Sequence, residues 1–282
     1  MTMVLDDFDS RPGSATSILR TVVGTSLRAL GERIRPGALV RLMGAAGIAP
    51  GPARTAITRV KAKGLLLDDV EAGRSILRLN PAAHPMLARG DRRIFTPAMM
   101  RPEEGWCLIA VSVPEERREA RAQLRRRLAW MGCGHVQSAL WVCPAHLATE
   151  VFEVLDELRV REGATLFHAT GLLSGELPAA VATWWDLDAI AALHERFLDA
   201  HGAELAALGP ETPAREAFAA RVRAIDTWRA VPYLDPGLPA ELLPAAWPGA
   251  QSIPLYEHML AVTAAGADAF LAETVAAEDV RS

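Results

Sequence analysis

Ala53-Arg54-Thr55-Ala56-Ile57-Thr58-Arg59-Val60-Lys61-Ala62-Lys63-Gly64 is the stretch on which the reading of this 282-residue chain turns. Ala53, Ala56, Ile57 and Val60 recur at i, i+3, i+4 and i+7, the pattern of a helix laid on a core. The opposite side carries Arg54, Thr58 and Lys61 in one row, with Thr55 and Arg59 beside it. Long cations and short hydroxyls on one exposed face suit phosphate oxygens and base edges in a DNA major groove. Such a helix alone is more often a plain solvated surface helix, so the flanking sequence has to decide.

Downstream, Gly64 ends the helix and Leu65-Leu66-Leu67 reads as a strand. Glu71-Ala72-Gly73-Arg74 reads as a turn into a second strand, Ser75 to Leu79. Upstream, Ile18, Leu19, Val22, Val23, Leu27 and Leu30 form the stripe of a helix over 17–30. Pro36 opens a second helix, with Leu39, Leu42 and Met43 as its apolar face. The run Gly47 to Pro52 is the turn before the third helix, because prolines are tolerated in a first helical turn. Three helices followed by a hairpin with a basic tip is the layout of a winged helix, expected over residues 16–80 after a short disordered tail, 1–15. On that layout Arg54, Thr55, Thr58 and Arg59 enter the groove, and Lys61, Lys63 and the wing residue Arg74 touch phosphates.

The formal charge of −4 conceals a polarity. Residues 1–149 hold 22 Arg plus Lys against 13 Asp plus Glu, while residues 150–282 hold 8 against 21. A basic leading half on an acidic remainder is the footprint of a nucleic-acid-binding end attached to a body with another task. No stretch reaches the ~18 uninterrupted apolar residues of a membrane span, and the first nine residues carry three aspartates and no cation, unlike a signal peptide. A cytoplasmic protein with no membrane partner is expected. Cys107, Cys133 and Cys143 sit in apolar or glycine-rich settings without CxxC spacing, so buried free thiols are expected.

Residues 81–104 read as a linker rich in Pro, Gly and Arg, with one short helical piece at most. From Trp106 the pattern is strand to Val113, helix Arg117 to Met131, strands His135 to Gln137 and Ala139 to Cys143, helix His146 to Leu158, and strand Ala164 to Thr170. That βαββαβ order is the split-βαβ, ferredoxin-like arrangement, expected over 105–175. Residues 176–282 read as a helical domain: helical patterns over Ala189–Leu208, Pro213–Trp228 and Leu255–Ala277, with a proline-rich connector from Pro232 to Pro254. The fold class expected is α+β. The seven histidines show no HExxH spacing, and there is no GxSxG elbow or phosphate-binding loop in a strand-to-helix setting. No catalytic residue, metal site or cofactor is assigned.

The Ala53–Val60 helix with Gly64-Leu65-Leu66, the segments Leu128–Gly134 and Ala139–Pro144, and above all the proline series Tyr233-Leu234-Asp235-Pro236-Gly237-Leu238-Pro239 to Trp247-Pro248-Gly249 together resemble the PaaX family, bacterial repressors of phenylacetic acid degradation. The resemblance runs from about Thr16 to Ala272. It implies a cytoplasmic homodimer on a palindromic double-stranded operator, released by an aryl-CoA thioester such as phenylacetyl-CoA. It also implies a central domain similar to the CRISPR spacer-acquisition nuclease. That nuclease carries an aspartate at the end of its first strand, whereas here the strand ends Val111-Ser112-Val113-Pro114, so a nuclease role is disfavoured. For the effector, Arg121 and Arg125 on the arginine-rich helix are candidates for its phosphates. Trp228, Tyr233 and Trp247 are candidates for a pocket rim, each with core packing as the competing role. A regulator or activator of the same architecture answering a different ligand is the alternative.

Overall fold

The computed structural model describes residues 11–101, 103–172 and 175–280, so most of the expected tail lies outside the described residues. Helix α1, Ala15–Val22, starts at Ser14, whose hydroxyl accepts the Ser17 amide at 3.2 Å. It continues as a π-helical segment, Val23–Leu27, where the Thr25 hydroxyl donates to the Thr21 carbonyl at 2.8 Å. The helix expected over 17–30 therefore widens and stops early, in keeping with a Gly24-Thr25 pair inside its last turns. A two-residue strand, β1 (Arg33–Ile34), follows; it is too short to show periodicity in sequence. Helices α2 (Pro36–Ala45) and α3 (Pro50–Ala62) each begin with proline in the first turn. Gly64, at φ +73°, takes the left-handed position that ends α3.

Strands β2 (Leu66–Glu71) and β3 (Arg74–Leu79) pair antiparallel with Glu71 opposite Arg74, and the sheet order is β1-β3-β2. Ala72 and Gly73 at the tip have φ of 51° and 77°, the doubly left-handed turn whose twist matches a two-residue hairpin. Helix α4, His84–Phe95, occupies half of the stretch read as a linker. Pro81 and Pro85 look like breakers in sequence, but each falls in the first turn of a helical piece, where no N–H is needed. Met86 and Leu87 then pack on the core.

The central elements are β4 (Trp106–Val111), α5 (Arg118–Trp130), β5 (Gly134–Gln137), β6 (Leu140–Pro144), α6 (Ala148–Glu157) and β7 (Ala164–Ala169). Their sheet is antiparallel throughout, in the order β5-β6-β4-β7. After it come α7 (Leu177–Trp184), unforeseen in sequence, then α8 (Leu187–Ala206), α9 (Ala214–Trp228), α10 (Val231–Leu234) and α11 (Gly249–Val280). Helix α11 absorbs the end of the proline-rich connector, with Pro254 in its second turn.

These elements form two compact units. One holds Met1–Ile94, Phe197–Arg229 and Gln251–Ser282; the other holds Phe95–Arg196 and Ala230–Ala250. The contiguous boundaries read from sequence differ from this grouping. In the first unit Leu19, Leu39, Leu42, Val60 and Leu77 of the N-terminal elements share one core with Phe218 and Val222 of α9 and Ala267 and Leu271 of α11. By length and composition α11 also passes as a membrane span. That is a weak sign, because a core helix of a globular unit passes too, and Tyr256, Met259, Thr263 and Leu271 lie on a buried face of it. In the second unit Cys107, Ile109 and Trp141 pack under α5 and α6. The other sheet face, with Trp106 and Val142, is covered by Val181, Trp185 and Leu238. The buried Trp185 indole N–H is satisfied by the Gly132 carbonyl at 2.8 Å.

Candidate nucleic-acid interface

Helix α3 divides as its sequence requires. Ala53, Ala56, Ile57 and Val60 are buried, and Arg54, Thr55, Thr58, Arg59 and Lys63 are exposed. The Thr55 and Thr58 hydroxyls donate to the Gly51 and Arg54 carbonyls, each at 3.2 Å, leaving oxygen lone pairs to accept. The side chains of Arg54, Arg59 and Lys63 have no hydrogen-bond or ion-pair partner among the described residues. Three such cations on one exposed helix face repel one another, which is how a surface held ready for an anion looks.

The hairpin is less basic than its tip suggests. Lys61 is tied to Asp68 of β2 at 2.5 Å. Asp69 meets Arg78 at 3.3 Å, and Glu71 meets Arg33 at 2.6 Å. The three carboxylates of β2, whose pairing sequence alone does not reveal, are thus neutralised within the module. Arg74 remains exposed at the tip, and Val70 beside it is 68% exposed.

What carries this module is a buried polar network that the sequence reading missed. Asp226 of α9 is 1% exposed and accepts hydrogen bonds from the Gly13 amide (2.7 Å), the Ser17 hydroxyl (2.5 Å) and the Thr21 hydroxyl (3.0 Å). Arg229 closes the circle, 3.4 Å from the same carboxylate and donating to Ser17 Oγ at 2.7 Å. At the other end, Arg41 of α2 pairs with Glu278 of α11 and donates to the Thr274 carbonyl at 2.8 Å. The one available signal was an aspartate four residues after Val222, on the apolar face of α9.

The five effector candidates are divided between the two units. Trp228 lies in the first unit, stacked on Tyr256 with ring centres 4.5 Å apart and fully buried. The other four belong to the second unit. Tyr233 stacks on Trp130 at the end of α5, with centres 5.8 Å apart, and Trp247 meets the His194 ring edge-on. Arg121 is engaged by the Val113 carbonyl (2.7 Å) and Glu115 (2.9 Å), while Arg125 is exposed. Each of the three aromatic side chains thus has a ring partner within its own unit.

The proline series has a physical basis. His194 Nε2 meets Asp235 Oδ2 at 2.8 Å while Asp235 Oδ1 accepts the Gly237 amide at 2.8 Å. Gly237 has φ +71°, and any Cβ there would collide with the Ala98 carbonyl. The cysteines are free and buried, with Cys107 and Cys143 directly opposite on β4 and β6.

Three family profiles match successive segments of the chain. The profile described as "PaaX-like protein" matches residues 14–83, "PaaX protein central Cas2-like domain" matches 100–181, and "PaaX-like protein C-terminal domain" matches 185–273. The chain belongs to the PaaX family. Among the family's curated members, the transcriptional repressor PaaX of Escherichia coli (strain K12) is 26% identical over 278 residues, covering 96% of this chain and 87% of that protein. Among solved structures, the uncharacterized protein Rv0674 from Mycobacterium tuberculosis is similar with a TM-score of 0.54 and 23% identity, over 91% of this chain and 98% of the other. That second likeness concerns the fold alone.

Proposed function

We propose that this chain is a DNA-binding transcriptional repressor. Residues 16–80 act as a winged helix on the major groove, and residues 105–175 form a ferredoxin-like domain. The observation that carries the reading is the cationic face of α3, with Arg54 and Arg59 exposed and unpaired among the described residues, above a buried apolar face. Either guanidinium has the planar fork that meets O6 and N7 of a guanine together. The sheet order β5-β6-β4-β7, with α5 and α6 on one face, agrees with the ferredoxin-like topology. The E. coli relative's name adds a regulatory role.

On this reading the protein works in the cytoplasm as a homodimer with two heads on a palindromic operator, half-sites one or more helical turns apart. It governs catabolism of aromatic acids of the phenylacetate type, and an aryl-CoA thioester releases it by binding the DNA-incompetent arrangement more tightly than the competent one. A regulator rather than an enzyme is also the sense of the relative's name.

Selection of bound sequences from a randomised duplex library tests the proposal. A palindromic consensus is expected, lost together with specific binding in Arg54→Ala/Arg59→Ala. Enrichment of no sequence, or the same consensus from the double variant, would refute it. Phenylacetyl-CoA added to the resulting complex is expected to release the DNA; no release and no heat of binding would remove the effector.

A further inference from the structure

Six arginines lie between residues 117 and 127, Arg117 just before α5 and five within it, and the structure sorts them into two sets. Arg117 donates to the Arg159 and Leu158 carbonyls at 2.6 and 2.9 Å, Arg121 to the Val113 carbonyl, and Arg127 pairs with Glu157 at 2.6 Å. Those three serve the second unit itself. Arg118, Arg125 and Arg126 are exposed and have no hydrogen-bond or ion-pair partner among the described residues.

At about 100° per residue, Arg125, Arg118 and Arg126 span roughly 100° of the helix surface, with Ala129 and Ala122 between them. Both alanines are exposed, so the floor of the strip is small and uncharged. The bordering carboxylate, Glu119, is bonded to Gln123 at 3.4 Å. Arg118 also stands in the first turn of α5, where the macrodipole disfavours a cation. Like charges left unneutralised, one of them at the wrong helix end, cost folding energy and return nothing inside the protein. A polyanion outside it restores the balance.

We infer that the Arg118–Arg125–Arg126 strip of α5 is a second DNA-contacting surface, gripping phosphodiester oxygens without reading sequence. This rests on the proposed DNA-binding function and extends it to a residue set outside the winged helix. Guanidinium forks bind phosphate bidentately, and Arg118 and Arg125 lie about 10 Å apart along the helix axis, so they meet different phosphates. Contacts of this kind contribute affinity and salt dependence but not base preference.

The test uses the full chain and a mixed-sequence duplex of about 30 base pairs, with anisotropy titrations over a KCl series. Replacing Arg118, Arg125 and Arg126 together by Gln removes the charge and keeps a polar, helix-compatible side chain at exposed positions. The slope of log K against log [KCl] is expected to become shallower by about 2–3, near 0.9 for each phosphate lost. The all-Lys triple variant is expected to recover most of it, and the control Arg196→Gln/Arg215→Gln, which removes two exposed charges elsewhere, to leave the slope alone. A Gln triple variant indistinguishable from wild type, or from that control, overturns the inference. So does loss of coenzyme A binding with duplex binding intact, which would assign the strip to a small nucleotide phosphate. If Arg54→Ala/Arg59→Ala weakens binding while the Gln triple variant leaves both affinity and salt slope unchanged, only the strip fails. If the wild-type chain ignores duplex DNA altogether, the proposed function fails with it.

Discussion

Replacing Asp226 by alanine should loosen the whole N-terminal module. The carboxylate is 1% exposed, receives three hydrogen bonds from Gly13, Ser17 and Thr21, and sits 3.4 Å from the Arg229 guanidinium, itself 8% exposed. Each hydrogen bond to a charged acceptor is worth ~1.5–3 kcal/mol, but the three share one group and do not add. The better guide is the loss of one partner from a buried ion pair, ~3–5 kcal/mol, because the buried Arg229 guanidinium loses the carboxylate opposite it. For a unit of this size that corresponds to a fall in Tm of about 6–20 °C. Urea unfolding followed by circular dichroism gives the total, and hydrogen exchange localises it: amides of α1 should exchange earliest in the variant. Ser17→Ala should cost less, and the double variant should show coupling of about 1–3 kcal/mol, since both side chains serve the same network. A cost of Asp226→Ala below ~1 kcal/mol, or unchanged protection of α1, would refute the claim that this carboxylate holds α1 to α9.

Arg59→Ala should weaken binding to a selected operator by ~1–3 kcal/mol and relax one base position per half-site, whereas Lys63→Ala should weaken all sequences alike; equal effects of Arg59→Ala on operator and scrambled duplexes would argue against base reading. Gly237→Ala, facing both a left-handed φ and the Ala98 carbonyl, should destabilise the second unit by about 2 kcal/mol or more in urea titrations, and a neutral result would mean the turn is not held as described. Burial pushes the Glu204 carboxyl up, but hydrogen bonds with His201 and Arg223 outweigh it and hold the group below the ordinary glutamate value. Its contribution to stability is therefore present above pH ~4.3 and lost as pH falls through the lower folded value, so Glu204→Gln should lose less stability than wild type between about pH 5 and 3. The Cys143 thiol is pushed well up by its neighbours Cys107 and Cys133 and by burial, while hydrogen bonding to Cys143 lowers that of Cys107. Alkylation of the native protein followed by mass spectrometry should modify Cys107 before Cys143, and the reverse order would contradict that cluster.

Legibility in the sequence followed how locally each feature is determined. Helix α3 carried two independent signals, an apolar stripe and a glycine stop, and both describe backbone within one element; its exposed face is accordingly where the residues placed it. Helix α4 was hidden because Pro81, Pro85 and Gly90 signal breaks only when their position within a turn is unknown. Strand β1 exists only because β3 offers it partners, a property of no residue within it. The interface shows the same division. That Arg54 and Arg59 stand free was readable from one helix, but that Lys61 belongs to Asp68 depends on how the hairpin folds back on α3. Asp226 is the extreme case, since its meaning lies in Ser17 and Thr21, some two hundred residues away, and a lone aspartate on an apolar stripe names no partner. The discontinuous first unit follows from this. A module whose local pattern looks self-sufficient closes its core with Phe218, Val222, Ala267 and Leu271, so whatever acts on α9 or α11 acts on the shared core of the N-terminal helices.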